Sequence, residues 1–161
     1  MKTFRIVSVL AAFLGILTSC TKQVGKNPGL AYSDKALFDS CRLTSRFYYL
    51  NDSNTVYSGS SGPHGAYTLK FNRIAFKALS DKGKLPLNSQ MPEGSLVVKL
   101  IQKGQTHEGY AFMYKKSGAW LWGELGYDGS VQYSVDKNPS ICVSCHSQDA
   151  NRDLILTFKY H

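Results

Sequence analysis

Five residues near the C-terminus, Cys142-Val143-Ser144-Cys145-His146, set two thiols three positions apart with an imidazole directly after the second. Thiols at this spacing can form thioethers with both vinyl groups of one porphyrin while the next residue reaches the metal. The motif therefore reads as a site for covalently attached haem c, with His146 as the proximal iron ligand. A dithiol redox pair, half of a zinc site and two structural cysteines compete with that reading, and each lacks a partner it needs. A zinc site wants a second close pair of Cys or His, whereas Cys20, Cys41, His64, His107 and His161 are scattered singly. A thioredoxin-like pair wants a βαβ pattern around it and has no use for His146.

The sixth iron position decides between two kinds of chemistry. A ligand from His64, His107, His161, Met91 or Met113 would make a plain six-coordinate electron carrier, and an open position would bind a small molecule. None of these residues sits in a motif that marks it as axial. Lys99 stands out for a different reason: in the run Leu96 to Ile101 it shares a strand face with Val97 and Ile101 while Leu96, Val98 and Leu100 take the other, which is not an ordinary solvated position. The competing reading has Lys99 snorkelling from a sheet edge into water.

The elements that must position these residues follow from periodicity. Tyr67, Leu69 and Phe71 alternate with Ala66, Thr68 and Lys70, as in a half-buried strand. A short helix should follow, capped by Asn72, carrying Ile74, Ala75, Ala78 and Leu79 on its apolar face and ending at Lys82-Gly83. Strands are expected at 95–102, 110–115, 119–125 and 130–135, separated by Lys103-Gly104, Ser117-Gly118 and Asp128-Gly129 turns. Short connections between successive strands imply an antiparallel sheet. Asn138-Pro139 reads as a cap and first turn that place Cys142 to His146 on a short helix against that sheet. The fold class is thus α+β, mainly antiparallel sheet with a few short helices. The aromatic residues, including Tyr110, Phe112 and Tyr114 on one strand face and Trp120 with Trp122 on another, are mostly core, with room for one or two as a lid over the iron.

Residues 1–19 combine Lys2 and Arg5, an apolar stretch from Ile6 to Leu17 and small residues before Cys20, which reads as an export signal. Leu17-Thr18-Ser19-Cys20 resembles a bacterial lipobox, so Cys20 is expected to be acylated, with 20–32 as a lipidated tether and 33–161 as the haem domain. The alternatives are a plain secretory signal or an uncleaved anchor, for which the apolar run is short. A multiply acylated Cys would hold the domain stably on the periplasmic side of a bacterial envelope membrane. Cys41 is then the one cysteine left over, expected as a buried free thiol on a short helix capped by Ser33. Asn51 to Gly65, rich in Ser, Gly and Asn, reads as a long loop.

Removing the signal leaves about 142 of the 161 residues, enough for one domain with one core. The net charge of +8 falls to +6 with the loss of Lys2 and Arg5, and no basic run or Arg-rich helix concentrates it. Nucleic acid is therefore not an expected partner.

With its haem motif last, after a sheet, the chain does not resemble a helical electron-transfer cytochrome c. It resembles the cytochrome P-460 family and its relative cytochrome c′-beta across roughly residues 62–160. The likeness is carried by the helix from Asn72 to Leu79, Pro92-Glu93-Gly94-Ser95-Leu96-Val97-Val98-Lys99, Gly118-Ala119-Trp120-Leu121-Trp122, Cys142 to His146, and Asp153-Leu154-Ile155-Leu156-Thr157-Phe158. The resemblance implies a homodimer whose sheet covers one haem face, a small nitrogen oxide ligand such as hydroxylamine or nitric oxide, and a redox partner protein. It also implies that Lys99 matches the lysine that P-460 members join to the porphyrin edge. In the family, c′-beta members carry a phenylalanine lid and bind nitric oxide, whereas hydroxylamine-oxidising members have a more polar pocket and a carboxylate above the haem. For that carboxylate the sequence offers no clear equivalent: between Glu124 and Cys142 the acids are Asp128 and Asp136.

Overall fold

A computed structural model describes residues 33–59, 63–137 and 139–161. The expected signal, the acylated Cys20, the tether and Asn138 lie outside them. Six strands, β1 (Phe47–Tyr49), β2 (Ala66–Asn72), β3 (Leu96–Lys103), β4 (Thr106–Lys116), β5 (Ala119–Gly126) and β6 (Val131–Tyr133), form one antiparallel sheet in chain order. Four short helices accompany it: α1 (Asp34–Arg42), α2 (Arg73–Lys77), α3 (Ser140–His146) and α4 (Thr157–Tyr160). The α+β expectation holds at this level.

Local chemistry explains most of these boundaries. Ser117 and Gly118, at φ 52° and 77°, make the left-handed two-residue turn whose twist matches the β4–β5 hairpin. Ser33 Oγ accepts the Ala36 N–H at 3.1 Å to cap α1, which carries Cys41 fully buried. Asn72 caps α2 as expected, but that helix ends at Lys77 rather than at Lys82-Gly83. Lys82 and Gly83 instead take positive φ in a separate turn closed by Asp81 and Lys84. The last strand stops at Tyr133, and Val135 to Lys137 form a 3-10 turn. Within the Asn51–Gly65 loop, Tyr57 pairs with Tyr67 and is buried, so this stretch is anchored midway.

The sheet has an apolar core on each face. Tyr67, Leu69, Phe71, Val97, Met113, Trp120 and Trp122 point to one side, where Ile155, Phe158 and the inner side of α3 cover them. Leu96, Val98, Tyr110, Phe112, Tyr114 and Leu125 point to the other, under Leu37 and Cys41 of α1 and Val135. Gly123 lets the Phe112 ring lie across β5, since a Cβ there would come within 2.3 Å of it.

Coverage of both faces corrects the half-buried reading of β2. Lys70 is buried, with its Nζ donating to the Cys41 carbonyl at 2.6 Å and lying 4.7 Å from the centre of the Phe47 ring. The hydrogen bond and the ring face offset part of the desolvation cost, which burial expresses as a lowered amine pKa.

Candidate functional site

The α3 helix places Cys142, Cys145 and His146 at i, i+3 and i+4, and those positions share one face. Seven residues are too few for a helix to persist alone, so tertiary contacts must hold it. Cys142 and Val143 pack against the Trp120/Trp122 side of the sheet, and the His146 ring lies 4.5 Å from the Trp122 ring, centre to centre. Both thiols are free and partly exposed, whereas His146 is buried.

The orientation of His146 is set by its other nitrogen. Nδ1 lies 2.7 Å from the Leu154 carbonyl, which can only accept; Nδ1 therefore carries the proton and Nε2 is left as the lone-pair donor. Burial pushes the imidazole pKa down to about 4; the Leu154 carbonyl opposes the shift, and the nearby charges of Lys99 and His64 add to it. The ring is neutral at physiological pH, as a metal ligand must be.

The three motif residues border a cavity of about 730 Å³, large enough for an organic cofactor. Its far walls come from the sheet and from the loop before β2: Lys99, Tyr67, Glu124 and His64 all line it, with Ile141 and Leu156 among its apolar contributors. Among the described residues no cluster of three or more His, Cys, Asp and Glu side chains could hold a metal ion. An iron held by His146 would therefore need further ligands that these side chains do not supply and that a porphyrin would. Two free thiols, a neutral buried imidazole aimed by its Nδ1 bond and a roomy cavity fit covalent haem.

Lys99 sits on β3, an inner strand rather than a sheet edge, and lines this cavity, with its Nζ 4.3 Å from the centre of the Tyr67 ring. Burial lowers its amine pKa to about 8, while the charges of Cys145 and Glu124 oppose the shift. Glu124 is the residue that the sequence reading missed. Its strand position pairs with Ala111, which pairs in turn with Lys99, so the cavity face of the sheet carries both. Strand alternation alone offered that signal, since Glu124 shares the face of Trp120 and Trp122. His64 Nδ1 lies 3.1 Å from Glu124 Oε2, with the ring turned so that no directed hydrogen bond forms. These two residues also border a second cavity of about 280 Å³ that reaches Lys103 and Glu108 on the surface. Asp128 accepts the Ser130 N–H in its turn and does not line either cavity.

The five sixth-ligand candidates separate clearly. His64 and His161 line the main cavity. Met91 is buried in the core, Met113 borders only a small crevice behind the cavity, and His107 is exposed beside Tyr127. The aromatic residues along the cavity are Tyr67, Tyr133 and Tyr160, with no phenylalanine among its described lining residues. Compared with known proteins, the chain matches no family model, no curated protein and no solved structure.

Proposed function

We propose that this chain is a mono-haem c-type protein of the cytochrome P-460 and c′-beta kind, with haem c joined at Cys142 and Cys145 and His146 as its proximal ligand. The observation that carries the reading is the Nδ1 bond of His146 to Leu154, which leaves Nε2 free beside two thiols on the same helical face. Bound there, haem supplies an iron that changes oxidation state and accepts small ligands.

The chain's own residues favour a polar reaction space. Glu124 Oε2 can take or return a proton, and it borders the second cavity together with His64, whose Nδ1 lies 3.1 Å away. Lys99 would hold a primary amine toward a bound porphyrin edge, and burial lowers its pKa to about 8, so a larger share of it is neutral than of a free lysine; a covalent link there would also need an oxidant to take up two electrons. With Glu124 in place, hydroxylamine or nitric oxide oxidation is the reading best supported, with electrons leaving to a redox partner protein. His64 and His161 support one alternative: an imidazole from either at the sixth position would make an electron carrier indifferent to these ligands. Nitric oxide holding without turnover remains the binding-module version of the same site.

Mass measurement of the denatured chain tests haem attachment. A haem-sized increment that disappears when Cys142 and Cys145 are replaced by Ala supports it, and an unmodified wild-type mass from an exported preparation rejects it. The reduced absorption spectrum then reads Lys99, since a strongly red-shifted Soret band marks an amine cross-link. Nitric oxide shifts the spectrum of an open site and leaves a six-coordinate carrier almost unchanged. On the same reading Cys20 is acylated, the protein sits on the periplasmic face of an envelope membrane, and it pairs as a homodimer. Replacing Cys20 by Ala should release it, and retention at an unprocessed mass would indicate an uncleaved anchor instead.

A further inference from the structure

The carbonyl that orients His146 belongs to a turn in an unfavourable backbone conformation. Asp153 and Leu154 take consecutive positive φ values of 49° and 64°, a left-handed region that Asp tolerates and Leu avoids. Such a pair persists only where its surroundings over-determine it. Here three separate segments do so. Lys115 Nζ on β4 lies 3.1 Å from each Asp153 carboxylate oxygen, the Met91 N–H donates to Oδ2 at 2.8 Å, and Trp120 Nε1 on β5 donates to the Asp153 carbonyl at 2.9 Å. The ion pair is closed to solvent, with side-chain exposures of 5% for Lys115 and 9% for Asp153.

A buried ion pair is a poor choice for stability alone, because apolar residues of similar volume often serve as well or better. Its geometric effect is specific: it pins residue 153 to the sheet, and the next carbonyl along is the acceptor for His146 Nδ1 at 2.7 Å. On its other side the Leu154 N–H is held by Asn151 Oδ1 at 2.7 Å, so the turn cannot relax by rotating one peptide.

We propose that the Lys115–Asp153 pair is the positioning device for His146, locking the Asp153–Leu154 turn so that the Leu154 carbonyl holds Nδ1 and directs Nε2 into the cavity. Lys115 and Asp153 act through Leu154 and touch neither the cavity nor a ligand. The consequence for iron rests on the haem reading given above: a firmly held Nδ1 proton makes the imidazole a stronger donor, and a slackened turn weakens it.

The test compares Asp153→Asn, which keeps volume and an acceptor for Met91 but removes the charge, with Leu37→Ala, which destabilises the opposite face of the sheet. In the haem-loaded protein Asp153→Asn should retain covalent haem, lower the ferrous iron–histidine stretching frequency and raise the midpoint potential. Leu37→Ala should lower the melting temperature and leave both signatures in place. A wild-type frequency and potential in Asp153→Asn, or equal shifts in Leu37→Ala, overturns the proposal. If Asp153→Asn does not fold, the double variant Lys115→Gln with Asp153→Asn leaves no buried charge unpaired and carries the same comparison. If the wild-type chain proves to carry no haem, the haem reading fails separately. The His146 Nδ1 proton, followed by nitrogen-15 NMR in the haem-free chain, then decides: exchange several-fold faster in Asp153→Asn supports the device, and unchanged exchange overturns it.

Discussion

Lys99 and Glu124 face one cavity from strands two apart, with Ala111 directly opposite both. Two strand spacings put their backbones about 10 Å apart, and the methyl of Ala111 leaves the space between them open. Burial lowers the Lys99 pKa despite the opposing charge of Glu124, so at this separation desolvation outweighs attraction.

That balance sets a pH dependence for the haem-free chain. Native Lys99 gives up its proton near pH 8, whereas in the unfolded chain it keeps it to about 10.5. Between those values the unfolded state binds more protons, so Lys99 makes stability rise with pH. Lys70 titrates in the same direction and Cys41, raised by burial to about 12, in the opposite one. The difference between wild type and Lys99→Met therefore isolates the effect. Urea midpoints at pH 7.5 and 10 should rise less in Lys99→Met, and equal rises would show that Lys99 is not buried as described.

On the proposed oxidative reading, Glu124→Gln should leave haem attachment unchanged and slow hydroxylamine oxidation by about 10²-fold or more, the usual scale for losing a general acid–base group. Steady-state rates with an artificial electron acceptor measure this. A wild-type rate in the variant would remove the carboxylate from the mechanism, whereas no turnover in the wild type itself would favour the binding-module reading.

Asn72→Ala should cost about 2–3 kcal/mol, because one side chain satisfies three backbone groups. Its Oδ1 accepts the Ala75 N–H at 2.9 Å and the Leu96 N–H at 3.1 Å, and its Nδ2 donates to the Gly94 carbonyl at 2.8 Å. Chemical denaturation reads the loss, and a change near zero would mean that water replaces all three bonds.

Gly123→Ala should cost about 1–3 kcal/mol, since the new methyl meets the Phe112 ring at 2.3 Å and the ring has to move. Phe112→Leu shortens that ring away, so the double variant should be more stable than the two single losses predict. Simple additivity in the denaturation midpoints would mean that the ring and the methyl do not meet.

Much of the frame was legible because period-two alternation and turn residues are local signals. Asn72, Ser33, Ser117-Gly118 and the strand faces of Tyr110, Phe112, Tyr114, Trp120 and Trp122 stand as their residue types imply. The early end of α2 was not legible, since Ala78 and Leu79 continue its apolar pattern and pack on the core without remaining helical. Strand β1 escaped notice because three residues, Phe47 to Tyr49, are too few to show a period. Lys70 read as solvent-facing because nothing in its own strand announces that α1 will cover it.

The sequence by itself determined the thiol–thiol–imidazole spacing, the oddness of Lys99 between aliphatic neighbours, and an antiparallel sheet with short helices. Only the tertiary structure decided that Lys99 turns inward, that Glu124 and His64 join it at one cavity, and that Leu154 orients His146. The reason is physical: spacing along a helix or strand is written within a few consecutive residues. Cavity walls and hydrogen bonds such as that of Tyr67 with Thr157, ninety positions apart, exist only once distant segments have packed.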